Sequence, residues 1–198
     1  MTQTEIYTVV KTKIRADLAS PTVNNLNDAS ISQWANEAAK KLVHELDPAH
    51  CKDLQVINEA LAGLADASTH LTFTRPATLE REIAVRVTGA SVSNKFTRII
   101  AAAEFWRFDA SNAILSASEY QPIAMVADKV YVKPTTVTSA RIDYIKAHPT
   151  IGASQATLFD DYGDNLLILL IMSEYYTFSN MPELAARYLA EYRGHYGN

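Results

Sequence analysis

Four clusters in the sequence hold residue types that could do chemistry. His44, His50 and Cys51 lie close together and include good zinc ligands. Their spacing matches no zinc pattern, and Cys51 is the single cysteine of the chain. Cys51 reads as a small, partly buried residue near a helix start. Asp160, Asp161 and Asp164 resemble a cation site. An EF-hand loop, however, needs alternate acids, a glycine and a distal glutamate, and this stretch lacks that pattern. An acidic opening to a helix is the simpler reading, because carboxylates suit the positive end of the helix dipole. Phe105, Trp106 and Phe108 could stack on bases, but nucleic-acid stacking platforms come with several basic residues, and here Arg107 stands alone. Packing in a core or at a subunit interface accounts for them better. The last cluster is the terminal Tyr192, Arg193, His195 and Tyr196, set between glycines. It is small, basic and aromatic, and suits either a fraying end or a docking element.

No Gly-x-Ser-x-Gly, Gly-x-Gly-x-x-Gly or phosphate-loop signature is present, and the five histidines are scattered. The expectation is therefore a protein that is not an enzyme, with no catalytic, cofactor-binding or metal-binding residues. Composition agrees. The 198 residues suit one domain with, at most, a small appendage. A hydrophobic share of 48% and a charged share of 20% are those of an ordinary globular protein. The net charge of −4 argues against a free DNA-binding module, which is usually basic. One cysteine permits no internal disulfide and is compatible with a reducing cytosol. Met1–Tyr7 has neither the basic nor the apolar region of a signal peptide. The longest apolar run, Leu166–Met172, is far short of the ~20 residues of a membrane span.

The elements that must position these residues follow from periodicity. Seven consecutive apolar residues, Leu166 to Met172, cover every side of a helix, so the stretch from Asp160 to Tyr176 must be enclosed. A buried strand is the other option, but Leu, Met and the acidic start favour a helix. Before it, helices are expected over about Thr4–Leu18, ended by Ser20-Pro21, and over Ser30–Leu46, with a capping box on Ser30 and Gln33. A third helix is expected over Asp53–Leu71, weakened by Gly63. After Pro76 the period changes to that of strands. Ile83, Val85 and Val87 alternate, Val92–Ala102 holds a second strand, and Glu104–Asn112 is assigned to neither type. Ile123–Val126 and Lys129–Val132 form a hairpin turning near Ala127-Asp128, and Val137–Lys146 is the clearest strand. A last helix runs from Pro182 to Arg193 with Gly194 as its cap, antiparallel to the anchor helix. The expected class is α+β. Helical parts at 1–75 and 158–198 form one body, and an antiparallel β-rich segment at 79–150 is inserted between them.

Four segments resemble, in their order, the head-to-tail connector (adaptor) proteins of tailed bacteriophages. They are the helix Asp28-Ala-Ser-Ile-Ser-Gln-Trp-Ala, the pair Ile123-Ala-Met-Val and Lys129-Val-Tyr-Val-Lys-Pro, the strand Ala140-Arg-Ile-Asp-Tyr-Ile-Lys, and the run Phe159-Asp-Asp-Tyr-Gly-Asp-Asn-Leu followed by a short tyrosine-rich helix. The resemblance spans about Asp28 to Tyr196 and includes no catalytic motif. It implies a non-enzymatic homo-oligomeric ring, dodecameric by analogy, in the neck of a virion. There it would bind the portal protein on one side and tail or nozzle proteins on the other, with DNA only passing through the bore. An acidic bore would repel DNA and let it slide. It also implies that Tyr192, Arg193, His195 and Tyr196 reach the portal, and that Phe105, Trp106 and Phe108 lie on the tail side or between subunits. Other readings are another neck, tail-completion or assembly protein, a nucleic-acid-binding module whose affinity would depend on salt, and a small hydrolase lacking any visible nucleophile–base pair.

Overall fold

The structure is a computed structural model. It describes residues 1–18, 26–63, 65–67, 70–89, 96–107, 120–133 and 136–195, without the side chains at 65–67, 96 and 120. In chain order the described elements begin with helices α1 (Gln3–Asp17) and α2 (Asp28–Glu45) and a 3₁₀ segment (Pro48–Leu54). Strands β1 (Gln55–Ala60), β2 (Ala65–Ala67), β3 (His70–Thr74), β4 (Leu79–Gly89) and β5 (Phe96–Ile99) follow. Helix α3 (Ala102–Arg107) precedes strands β6 (Tyr120–Val126), β7 (Lys129–Val132) and β8 (Val137–Lys146). Helices α4 (Asp161–Phe178) and α5 (Pro182–Gly194) close the chain. The fold is mixed α+β. It divides into two compact units, Met1–Leu54 with Ala147–Asn198, and Gln55–Lys146.

The first unit is helical. α1 opens with a capping box, in which Thr2 accepts the Glu5 N–H and the Glu5 carboxylate accepts the Thr2 N–H at 2.6 Å. It buries Ile6, Val10 and Ile14. The expected end of this helix, Ser20-Pro21, lies outside the described residues. The cap of α2 is Asn27, whose Oδ1 accepts the Ser30 N–H at 2.7 Å. The box expected on Ser30 and Gln33 does not form, since Ser30 is already inside the helix and Gln33 turns to Glu37 at 3.0 Å. α4 is the anchor that its composition demands, with every residue from Leu166 to Ser173 buried. It ends in a Schellman turn. Asn180 adopts φ 57°, Met181 N–H reaches Tyr176 O at 2.8 Å, and Asn180 N–H reaches Thr177 O at 3.2 Å. α5 then packs against α4 through Ala185, Tyr188 and Tyr192. Gly194 is not a left-handed cap. It is the last helical residue, and the right-handed backbone continues into His195.

The second unit contains two sheets. β1-β8-β4 is antiparallel throughout, and β2-β3-β7-β6-β5 is antiparallel except for the parallel pair β5–β6. They share one core, including Leu71 and Phe73 from β3, Val85 from β4, Ile123 from β6, Val130 and Val132 from β7, and Ile142 and Tyr144 from β8. The β6–β7 hairpin and β8 fall where alternation puts them, with Ala127 at φ 53° in the turn. The expected start of β5, before residue 96, and Pro134 lie outside the described residues.

The helix expected over Asp53–Leu71 is absent. A 3₁₀ segment and β1–β3 occupy that stretch. Two positions have backbones that a right-handed helix excludes, Asn58 at φ 62° and Gly63 at φ 78°. Leu61 and Leu71, read as a helical stripe, instead enter the β core. Pairing of Gln55 and Val56 with Ile145 and Tyr144 decides the matter, since long-range partners override local spacing. The helical unit thus ends at Leu54 and resumes at Ala147, so the inserted unit runs from Gln55 to Lys146, starting well before residue 79 and ending before residue 150. One further departure is Ile83, which is 42% exposed. A bulge between Glu82 and Ala84 breaks the alternation that would have buried it beside Val85.

Candidate functional site

In the β-unit a cluster forms on the face of the larger sheet opposite the shared core. α3 settles the stretch that periodicity left unassigned, and it places Phe105 and Trp106 differently. Phe105 is fully buried with Ile100 and Ala124, while Trp106 is 49% exposed. Phe108 lies outside the described residues. Tyr131 on β7 and His70 on β3 complete an aromatic group. The Trp106 ring stands 5.2 Å from Tyr131, 5.1 Å from His70 and 5.0 Å from Phe105, all near edge-on. Beneath them is Lys133, only 3% exposed. Its Nζ lies 4.8 Å from the Phe105 ring and donates to Phe105 O at 3.2 Å. A buried ammonium needs such partners, and aromatic faces supply negative quadrupole density. Burial, and then the charge of Lys133, push the His70 imidazole below its ordinary value, which favours the neutral ring. Sequence reasoning missed Lys133 and His70. Lys133 precedes Pro134 and looks like a strand-end surface lysine. Its one signal is the alternation of β7, which puts it on the same side as Tyr131.

The terminal cluster divides as well. Tyr192 is buried and its hydroxyl donates to Glu45, with Lys41 Nζ 4.9 Å from its ring. Tyr192 therefore belongs to the body of the helical unit. Arg193 and His195 are exposed, and Tyr162 donates to the carbonyl of His195 at 3.0 Å. Tyr196 lies outside the described residues. Beside this end is a pocket of about 260 Å³ lined by Val9, Lys13, Tyr162, Leu166, Glu191 and His195.

The acidic start of α4 is a cap. Asp160 accepts the Gly163 N–H at 3.0 Å and faces His50 Nδ1 at 2.7 Å. Burial alone would raise the Asp160 carboxyl, but the bonds from His50 and Gly163 outweigh it and hold it below the usual range. Asp164 is buried and pairs with the Met1 ammonium at 2.7 Å. His50 and Asp160 resemble the base and orienting acid of a hydrolase, yet no hydroxyl or thiol bonds to His50 among the described residues. Cys51 is fully buried. No group of three or more His, Cys, Asp or Glu among the described residues could hold a metal.

The chain matches no protein-family model, and no curated protein matches it significantly. No helix among the described residues is long and apolar enough to cross a membrane.

Proposed function

We propose that the protein is a non-enzymatic connector of a tailed bacteriophage, a ring subunit that joins the portal vertex of the head to the tail. What supports the reading is the order of the four resembling segments. They fold as discrete elements, namely α2, the β6–β7 hairpin, β8 and the opening of α4 followed by tyrosine-rich α5. The half-exposed Trp106 fits a subunit or tail-side contact, because a large aromatic supported by a buried shell is a typical hot spot. Arg193 and His195, exposed past the buried Tyr192, fit the portal side. In this role the DNA meets the ring only in transit, and the acidic balance of −4 favours sliding over capture.

Electron microscopy of the parent particle tests the proposal. The expected outcome is a ring of this chain at the portal vertex. A particle with the chain absent from the neck, or present as a lone copy, overturns it.

A further inference from the structure

His148 lies in the segment between β8 and α4, and backbone groups engage both of its ring nitrogens. Leu158 N–H donates to Nε2 at 3.0 Å, so Nε2 carries a lone pair and the ring proton sits on Nδ1. Nδ1–H then donates to the Pro149 carbonyl at 2.6 Å. The two bonds admit one neutral tautomer and no imidazolium, because a proton on Nε2 would point at the Leu158 N–H. The ring is half-buried and covers Phe159, with centroids 5.0 Å apart and 31° between the planes. Phe159 is 8% exposed and lies against Gly163 in the first turn of α4.

The charges that act on the ring come from two sides. From α4 it is Asp164, and from the start of the chain the Met1 ammonium. These two pair with each other at 2.7 Å, so their effects on the ring oppose. His50 and Asp160, at the end of the same segment, are likewise bonded to each other at 2.7 Å. From α2 the segment receives Asn36, a neutral amide whose Oδ1 accepts the Ile151 N–H at 2.7 Å. Burial is the largest influence and pushes the imidazole below its ordinary 6.5. The Pro149 bond and Asp164 work against it, and the ammonium adds to it. We infer that His148 is a proton-operated latch: the neutral ring bonds Leu158 and covers Phe159, and a proton on Nε2 turns the ring out to water and releases both. The release is local, because Ile151 on Asn36 and Thr157 N–H on Met1 O at 2.8 Å are bonds between groups that do not titrate. With a folded value below 6.5, the contribution of the latch is complete above 6.5 and lost as pH falls through the lower folded value. The inference goes beyond the connector reading and does not depend on it.

Nuclear magnetic resonance on the isotope-labelled full chain tests the inference. At neutral pH the His148 nitrogen shifts should report a proton on Nδ1 and a bare Nε2. The exchange protection of the Leu158 amide, taken relative to the intrinsic rate at each pH, should fall several-fold, up to about tenfold, between about pH 7.5 and about pH 5.5. The fall should track the titration of His148, while the amide of the buried Leu170 in α4 keeps its protection. His148→Phe keeps a ring over Phe159 but offers no acceptor. In it Leu158 should be weakly protected at both ends of the range and lose this pH dependence. A proton on Nε2 at neutral pH overturns the inference. So does Leu158 protection indifferent to the His148 titration, or a fall that tracks His50 instead. An equal fall at Leu170 overturns it as well, because it would mean acid unfolding of the whole helical unit.

Discussion

Asp17 gathers two phenols of the helical unit. It sits at the C-terminal end of α1, where a carboxylate opposes the helix dipole. Two phenols offset this. Tyr176 and Tyr188 donate to its Oδ2 at 2.8 and 2.6 Å, and their rings stack with centroids 5.7 Å apart. A hydrogen bond to a charged acceptor contributes about 1.5–3 kcal/mol, so Tyr176→Phe and Tyr188→Phe should each lower unfolding free energy in that range, measured by urea titration. Burial first, and then the hydrogen bond to Asp17 and its charge, push both phenols well above their ordinary value of 10.0. The unfolded chain ionises above that value while the folded chain keeps its protons. Their contribution is therefore complete below pH 10.0 and declines as pH rises beyond it. The double Phe variant should lose less stability between neutral pH and pH 11 than the parent, and an equal loss would show that other groups control the alkaline limb. In the β-unit, Phe105 and Trp106 should separate cleanly. Phe105→Ala empties a fully buried site and should cost about 3–5 kcal/mol. Trp106→Ala should cost far less in stability and, under the connector reading, should impair ring or tail assembly.

At the scale of elements, the most informative junction is the start of α4. Gly163 lies in its first turn, where alanine is ordinarily the better helix former by ~1 kcal/mol. Here a Cβ would meet Phe159 Cβ at 2.7 Å and Leu46 Cδ1 at 3.2 Å. Gly163→Ala is therefore expected to destabilise by about 1–3 kcal/mol, as overpacking does. A neutral or stabilising result would mean that the close contact with Phe159 relaxes freely. The β1–β8 edge is a second junction of this kind. Asn58 holds its left-handed backbone because Asp143 accepts its N–H at 2.7 Å and Arg141 donates to its carbonyl at 3.0 Å. Asp143 also binds the Arg86 guanidinium. Burial works to raise its carboxyl, but the Arg86 and Asn58 hydrogen bonds prevail and depress it below the ordinary 3.8. Its contribution is thus present above 3.8 and lost as pH falls through the lower folded value. Asp143→Asn should be less stable than the parent at neutral pH, and the gap should close in acid. The β1–β8 register shifts between Val56 and Glu59, and such an irregularity on an edge strand disfavours edge-to-edge association.

At the scale of the molecule, the β-unit is an insertion whose ends are adjacent. Gln55 pairs with Ile145, so the chain enters and leaves this unit side by side. Replacing residues 55–146 by a short glycine–serine link should leave a helical protein that melts cooperatively, followed by far-UV circular dichroism. Loss of cooperativity would show that the helices depend on the insertion. Deleting residues 193–198 tests the other end. It removes the bond from Tyr162 to His195 O, worth about 0.5–1.5 kcal/mol, and leaves Tyr192 in place. Stability should therefore fall only slightly, while attachment to portal-bearing heads should fall sharply if this end docks there. If the truncated chain attaches as well as the parent, the contact lies elsewhere, and the exposed Lys40 and Lys41 face is the next to test.

What the sequence by itself determined is whatever one element can satisfy alone. The seven apolar residues of α4 demand enclosure, proline opens α5, and alternation defines β8 and the β6–β7 hairpin. The acidic start of α4 was legible as a helix opening for the same reason, since capping is a local bond. The tertiary structure decided what depends on distant partners. The apolar spacing over 53–71 suits a helix, yet β8 and β7 recruit strands from that stretch. Phe105 and Trp106 were visible as a cluster, but only the fold separates the buried ring from the exposed one. Lys133 shares a side of β7 with Tyr131 by alternation, but His70 and Phe105 reach it only because β3 and α3 pack there, a proximity that no spacing along the chain encodes.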